Sequence, residues 1–391
     1  MPNRPCWVEI STRSLEENFQ FLANLTRPDA DLLAIVKADA YGHSLAVCAP
    51  AAVRAGAKWL GVTSVEEGVA ARALCPAVRI LVIAGVFPGQ GAALVSNRLT
   101  AVVWERWQLD EIERAARAAG ADPGSIPVHL EIDTGMSRQG ASPKEFEAIL
   151  GRVGTASPLR VEGLMTHLYA ADESDGIVTR GQLAQMKFAL KRIHAAGLRP
   201  DILNVGNSAA VLSGLARRIG EIARENSMLG LLRPGLALYG LAPQFEPEEP
   251  AGVAEARARL QPVLTWKSRV VSVREVAAGT TVGYNGTFVA TEPMRLALVA
   301  AGYGDGLDRR LGNRFSLLVN GERAPLVGRI SMDQCVLDVT EIPGVEAGNE
   351  VVIIGTQNGE SITAFDHSDA AGTIAWEIFT RIAGRVERVA V

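Results

Sequence analysis

Long apolar runs and paired cysteines are missing from this chain of 391 residues. No window approaches the roughly 20 consecutive apolar residues of a membrane-spanning helix, and the first residues lack the apolar segment of a secretory signal. The cysteines form no C-x-x-C pair and no cluster with histidine, which argues against a disulfide framework or a metal site. The four are Cys6, Cys48, Cys75 and Cys335. We therefore expect free thiols, a cytoplasmic location and no membrane association.

An excess of basic charge is missing too. The net charge of −4 offers no basic surface, so we expect no binding to nucleic acid. Hydrophobic residues make up 48% of the chain and charged residues 21%, which excludes a disordered or fibrous protein. At roughly 150 residues per domain the length predicts two or three domains. Lysine is scarce among the 39 basic residues, and the only ones are Lys37, Lys58, Lys144, Lys187, Lys191 and Lys267.

What is present, from residue 31 to about 240, is an alternation of short β-branched apolar runs with Ala/Glu/Arg-rich stretches. The runs are Leu32–Val36, Trp59–Val65, Arg79–Ala84, Thr100–Trp104, Val128–Ile132, Val161–Thr166, Ile202–Val205 and Met228–Leu232. Such runs are typical of parallel strands buried on both faces. The stretches between them predict helices, including Glu105–Ala119, Pro143–Val153 and Thr179–Ala196. Eight units predict a (β/α)8 TIM-type barrel over residues 11–241. An open doubly wound sheet is the alternative, but no G-x-G-x-x-G follows the first run.

The pattern changes after the barrel. Residues 242–262 are rich in proline, glutamate and alanine, and we interpret them as a linker. Short strand-like runs then dominate, with Asn-Gly turns at Asn320 and Asn358. The runs are Leu264–Val273, Leu296–Ala300, Ser316–Val319, Cys335–Val339 and Glu350–Ile354. We predict a mostly β C-terminal domain over 263–391, joined by a strand at 5–10 and closed by a helix at Ala370–Ala383.

Polar residues follow five of the predicted barrel strands. They are Lys37, Tyr41 and His43; Asp133, Thr134 and Arg138; His167; Asn207 and Ser208; and Arg233. TIM barrels carry their catalytic groups at the C-terminal ends of the strands, so these side chains would meet.

Lys37 closes an apolar strand, where burial lowers a lysine pKa and makes the amine suited to a Schiff base. The arginines, the Asn-Ser turn and the Arg233-Pro234-Gly235-Leu236 turn suit a phosphate. A lysine beside a phosphate site indicates pyridoxal 5′-phosphate (PLP).

Motifs along nearly the whole chain resemble the alanine racemase family. They are Ala34–His43, Asp133–Arg138, Thr166-His167, Asn207–Ala210, Leu232–Gly235, Gly283-Tyr284, Ala301–Gly306 and Gly328–Gln334. Each motif is weak alone, but their order and spacing together are specific. The resemblance implies a PLP-binding barrel followed by a β domain, and a head-to-tail homodimer with shared active sites. It also implies interconversion of L-alanine and D-alanine, a small amino-acid substrate.

The resemblance also implies roles for individual residues. Lys37 would hold PLP and act as one base, and Tyr284 of the partner subunit would be the other. Two bases on opposite faces are the simplest way to remove and return the α-proton. Arg233 would contact the pyridine nitrogen, and His167 would link Arg233 to Tyr284. The implied phosphate contacts are Tyr41, Asn207, Ser208, Gly235, Leu236 and Trp376. The implied substrate contacts are Arg138, Tyr303, Met332 and Asp333, the last two from the partner.

Two positions depart from the family pattern. Some members carry a carbamylated lysine seven residues before the Arg138 position, where this chain has Glu131. The family usually has tyrosine where this chain has Trp376, near the phosphate and the substrate entrance.

Three other functions compete with an alanine racemase. A racemase that prefers serine is its near variant. A PLP-binding carrier without turnover would resemble the barrel alone, so the C-terminal motifs argue against it. A metal-dependent barrel enzyme would need clustered ligands, and the five histidines show no ligand spacing, so we expect no metal.

Overall fold

The computed structural model describes residues 4–153 and 157–391, and the chain divides into two units. The barrel unit comprises Arg13–Ala40 and Cys48–Gln261. The second unit comprises the residues up to Thr12, Tyr41–Val47 and Pro262–Val391.

Eight parallel strands close the barrel unit, which confirms the predicted fold class. After the N-terminal strand β1 (Cys6–Ile10), they are β2 (Ala30–Ile35), β3 (Trp59–Val62), β4 (Arg79–Val82), β5 (Thr100–Val103), β6 (Ile126–Glu131), β7 (Leu159–Met165), β8 (Ile202–Asn204) and β9 (Leu229–Leu232). Strand β2 pairs with both β3 and β9, which closes the ring. β3 and β5 are buried at every position, as expected of apolar runs covered on both faces.

Helices precede, connect and follow the barrel strands. They are α1 (Thr12–Thr26), α2 (Leu45–Arg54), α3 (Val65–Leu74), α4 (Gly91–Ser96), α5 (Arg106–Ala118), α6 (Pro143–Arg152), α7 (Ile177–Ala195), α8 (Ser208–Leu212), α9 (Ala216–Glu225) and α10 (Val253–Arg259). Capping residues set several of the helix starts. Ser64 caps α3 by accepting from the Glu67 N–H at 3.3 Å, and Ser142 caps α6, where proline takes the first position.

The second unit is built on a nine-stranded sheet that includes β1. Its other strands are β10 (Leu264–Val276), β13 (Met294–Val299), β14 (Ser316–Val319), β15 (Glu322–Pro325), β16 (Cys335–Asp338), β17 (Glu350–Gln357), β18 (Glu360–Ile362) and β19 (Glu387–Ala390). Six of the nine follow one another in the order β15-β14-β17-β10-β1-β19, while β13 pairs with β10 and β16, and β18 pairs with β17. A separate hairpin is formed by β11 (Thr281–Val282) and β12 (Phe288–Val289). β1 pairs antiparallel with β10, with Trp7 opposite Lys267.

The predicted closing helix at Ala370–Ala383 is wrong as a single element. The structure has two helices there, α11 (Ala364–Ala371) and α12 (Ala375–Arg381). Gly372 ends α11 in the left-handed region at φ 67°, a conformation that glycine adopts without steric cost.

Two segments are grouped differently from the predicted boundaries. Residues 242–261 belong to the barrel unit and contain α10, whose Arg257 donates to the carbonyls of Ala242 and Pro243 at 3.1 Å. Tyr41–Val47 belongs to the second unit, where the His43 ring packs against Phe379 at 4.8 Å between centroids. No helix among the described residues is long and apolar enough to cross a membrane.

Candidate active site

The C-terminal ends of the barrel strands carry a cluster of polar residues. Its members are Lys37 after β2, Arg138 after β6, His167 after β7, Asn207 and Ser208 after β8, and Arg233 after β9. The positive charges of Arg138 and Arg233 lower the pKa of both Lys37 and His167, so the four side chains lie within electrostatic range of one another. This is the end of a parallel barrel where active sites form.

Lys37 is half-buried directly after β2. Burial lowers its pKa, the positive charges of Arg138 and Arg233 lower it further, and Glu67 opposes them. A larger share of this amine is therefore neutral than of an exposed lysine at the same pH, and the neutral form is the nucleophile.

The backbone after Lys37 forms a left-handed turn. Ala38, Asp39, Ala40 and Tyr41 have φ values of 52°, 51°, 56° and 54°. Residues other than glycine enter this region at a cost of about 1–2 kcal/mol each, because Cβ crowds the next carbonyl oxygen. Both carboxylate oxygens of Glu67 accept backbone N–H groups at 2.7 Å, one from Ala38 and one from Thr63.

Arg233 is buried, and hydrogen bonds hold both of its terminal nitrogens. Its guanidinium donates to the Asn204 carbonyl at 2.8 Å, to the Asn204 side-chain oxygen at 2.6 Å and to the Thr166 carbonyl at 2.9 Å. Burial lowers the pKa of Arg233 to about 10, so the group stays charged at neutral pH. His167 Nδ1 lies 3.3 Å from the same guanidinium. Burial, followed by the charges of Arg233 and Arg138, lowers the pKa of His167 to about 3, so that ring is neutral.

Two chain turns meet at Ser208. The Ser208 Oγ accepts from the N–H groups of Gly235 at 3.0 Å and Ala237 at 3.2 Å. It thereby joins the start of α8 to the 3-10 turn Leu236–Tyr239. The Asn207 side chain caps α8 through Ala210 N–H at 3.1 Å. The first N–H groups of a helical turn have no partner within it, and here the Ser208 hydroxyl accepts those of Gly235 and Ala237. Two such turn starts therefore lie side by side, an arrangement that would suit an anion such as a phosphate.

Glu131 lies at the end of β6, and only 2% of its surface is exposed. The Gln139 side chain donates to its carboxylate and to the Ile83 carbonyl, the latter at 3.2 Å. Burial raises the pKa of Glu131, while Gln139 and the two arginines of the cluster act to lower it. Arg138 itself is exposed.

The remaining predicted site residues lie in the second unit. Tyr284 is 67% exposed, and it follows Gly283, which has a φ of 73°. Tyr303 and Met332 are also exposed. Backbone hydrogen bonds link their two segments: the Tyr303 N–H donates to the Ser331 carbonyl at 3.0 Å, and the Gly304 N–H donates to the Met332 carbonyl at 2.8 Å. A Cβ on Gly302 would meet these same carbonyls at 2.3–2.5 Å, so the turn needs glycine.

Three more predicted site residues belong to the second unit: Asp333, Tyr41 and Trp376. Arg385 donates to Asp333 at 2.8 Å and to Asp305 at 2.8 Å. Burial raises the pKa of Tyr41 to about 12. Trp376 is half-buried in α12.

Sequence reasoning missed Glu67, Gln139 and Asn204, which hold the predicted residues in place. The Ser64-Val65-Glu66-Glu67 sequence carries a capping-box pattern that marks Glu67 as a helix-start residue only. Asn204 reads as part of an apolar strand. No group of three or more potential metal ligands occurs among residues 4–153 and 157–391.

The fold and this cluster define a class: a (β/α)8-barrel protein with a lysine of lowered pKa, a buried arginine and two adjoining helical-turn starts at the C-terminal ends of its strands. The family profile described as "Alanine racemase, N-terminal domain" matches residues 10–243, and "Alanine racemase, C-terminal domain" matches residues 263–390. The chain belongs to the alanine racemase family.

Individual relatives cover nearly the full length. An alanine racemase of Symbiobacterium thermophilum is 37% identical, over 98% of this chain and 97% of that protein. The solved alanine racemase of Streptomyces lavendulae has a TM-score of 0.89 at 35% identity, covering 100% of this chain and 98% of that one. The Bartonella henselae enzyme, solved with covalently bound pyridoxal phosphate, has a TM-score of 0.83 at 26% identity and covers 99% of each chain.

Proposed function

We propose that the protein is a PLP-dependent racemase that interconverts L-alanine and D-alanine. The observation that carries the proposal is Lys37, an amine of lowered pKa at the barrel mouth beside a buried, charged arginine. Its family membership agrees with this reaction.

The residues present fit PLP. Lys37 would supply the amine that binds its aldehyde, and Ser208, Gly235 and Leu236, where α8 meets the 3-10 turn, would hold its phosphate. Further proposed phosphate contacts are Tyr41, Asn207 and Trp376. Bound in this way, PLP withdraws electrons from the α-carbon of an amino acid and acidifies the α-proton.

The protein's own residues then handle protons and orientation. We assign Lys37 Nζ as one base and the phenolic oxygen of Tyr284 of the partner subunit as the other. Arg233 keeps its proton at neutral pH, so it would donate to the PLP ring nitrogen and would leave that nitrogen unprotonated. Neutral His167 lies against Arg233 at 3.3 Å and would connect it to the phenol. Arg138 and Tyr303, with the partner's Met332 and the partner's Asp333, would hold the substrate.

A homodimer with shared sites is part of this proposal. Its support is that the large side chains of Tyr284, Tyr303 and Met332 are exposed in the single chain, and residues of these types are enriched at protein interfaces. We also place the protein in the cytoplasm, because all four cysteines are buried and free, as is usual in a reducing compartment.

Replacing Lys37 by alanine tests the function. We expect Lys37→Ala to lose both racemisation of L-alanine and the PLP adduct that borohydride fixes to the protein. Lys191→Ala, an exposed lysine of α7, serves as the matched control and should keep both. An adduct that persists in Lys37→Ala would show that another lysine holds the cofactor. PLP binding by the wild-type protein without racemisation of any L-amino acid tested, alanine and serine included, would instead indicate a carrier.

A further inference from the structure

Glu67 uses its carboxylate in an unexpected way. It is the third residue of α3 after the cap Ser64, and in a capping box such a carboxylate accepts the N–H of the cap residue. Here one oxygen accepts from Thr63 at 2.7 Å, one residue before the cap, and the other accepts from Ala38 at 2.7 Å. The side chain therefore connects the start of α3 to the turn that follows strand β2.

The contact falls on the peptide that follows Lys37. Ala38 is the first of the four successive residues in the left-handed region, and none of the four is glycine. A backbone held in such a region persists only when its surroundings restrain it. Hydrogen bonds restrain both ends of the turn. At its start, the Ala38 N–H donates to Glu67 and the Ala40 N–H donates to the Val36 carbonyl at 2.9 Å. At its end, the Tyr41 carbonyl lies 2.9 Å from His43 Nδ1.

The carboxylate of Glu67 also acts on Lys37 through charge. Burial and the charges of two arginines lower the pKa of Lys37, which disfavours its ammonium form. The negative charge of Glu67 acts in the opposite direction and favours the ammonium. Glu67 thus affects Lys37 in two ways: through its hydrogen bond to the Ala38 backbone, and through the effect of its negative charge on the lysine pKa.

We propose that Glu67 is a positioning residue for Lys37: it holds the left-handed turn that orients the lysine amine for its reaction with PLP. This inference rests on the proposed function, in which Lys37 binds the cofactor. The competing interpretation is that Glu67 only stabilises the start of α3.

The test compares three variants of the full-length protein: Glu67→Gln, Glu66→Gln, and Glu67→Gln combined with Ala38→Gly. A glutamine oxygen accepts one N–H, but its amide group then faces the second N–H as another donor. Glu66 is the adjacent, exposed carboxylate on the same helical turn, and its bonds go to Ser64 and Gln90. Glycine at residue 38 removes the Cβ penalty of the left-handed turn.

The readout is capture of PLP by protein first stripped of cofactor. Absorbance of the lysine-bound cofactor gives the capture rate at each pH, and melting temperatures are recorded alongside. We expect the rate on the high-pH plateau to fall at least tenfold in Glu67→Gln and to stay within twofold in Glu66→Gln. Adding Ala38→Gly should raise the plateau rate of capture at least threefold above that of Glu67→Gln alone. The pH midpoint of capture should fall in Glu67→Gln, because the carboxylate that favours the ammonium is gone.

Three results would overturn the inference: a plateau rate in Glu67→Gln within twofold of wild type, equal slowing in Glu66→Gln, or no gain from Ala38→Gly. If Glu67→Gln does not fold, Glu67→Asp takes its place, since its shorter side chain cannot reach both N–H groups. Wild-type protein that captures no PLP, or Lys37→Ala that captures it equally well, would refute the proposed function itself.

Discussion

Burial and two arginine charges together favour the neutral amine of Lys37. Removing one of these charges should therefore make the ammonium easier to form. We predict that Arg138→Met raises the pKa of Lys37 and moves the pH midpoint of PLP capture upward. The expected shift is a fraction of a pH unit up to about one unit, since Arg138 is exposed and water screens its charge.

The matched control is Arg192→Met, which removes an arginine paired with Glu147 between α6 and α7. The pH midpoint of PLP capture by Arg192→Met should equal that of the wild type. A midpoint that falls in Arg138→Met, or one that moves equally in both variants, would show that the charge of Arg138 does not act on Lys37.

Residues at the strand ends could be predicted because each follows an apolar run directly, as Lys37 and Arg233 do. The residues that hold them could not be predicted in this way. Glu67 reaches Ala38 across 29 positions of the chain, and Arg233 reaches Asn204 across another 29. Such contacts depend on which strands become neighbours, and local sequence pattern does not carry that information.

Strands were easier to predict than turns at the scale of the element. All eight barrel strands start and end within a few residues of the apolar runs, because burial on both faces demands continuous apolar sequence. The closing helix was predicted as one because its residues favour helix on both sides of Gly372. The left-handed turn after Lys37 has no signal in sequence, since no glycine occurs at residues 38–41.

Strand β7 depends on a glycine at its centre. The pairing of β6 with β7 shifts register before His129, whose fully buried ring faces Gly163. A Cβ on Gly163 would lie 2.7 Å from the ring atoms. The Asn204 side-chain amide donates to Nδ1 of this ring at 3.1 Å, and the Asn204 side-chain oxygen accepts from Arg233.

We predict that Gly163→Ala lowers the free energy of unfolding by about 1–3 kcal/mol, the usual cost of overpacking a core. The control is Gly181→Ala in α7, where a Cβ meets nothing within 4 Å. Alanine at that exposed helical position should raise stability by about 0.5–1 kcal/mol. Denaturant unfolding of both variants measures the difference. Equal stability of the two would contradict the packing of His129 against Gly163.

At the scale of the whole molecule, the sequence predicted a barrel followed by a mostly β domain, and the structure confirms both. How two copies associate is a different matter, because an interface depends on surface residues from distant parts of the chain. Tyr284 illustrates this, since the phenol proposed as a base is 67% exposed in the single chain. The proposal therefore requires a second copy to complete each site.

Mixing two inactive variants tests the shared site most directly. Lys37→Ala lacks one proposed base, and Tyr284→Phe lacks the other while keeping PLP. Loss of a general acid–base group typically costs about 10²–10⁴-fold in rate, so each homodimer should be nearly inactive. After subunit exchange, one of the two sites in each heterodimer would combine an intact Lys37 with an intact Tyr284. We predict that the mixture regains racemisation of L-alanine well above either parent. No recovery, with heterodimer formation confirmed by differently tagged subunits, would contradict a two-base site shared between subunits.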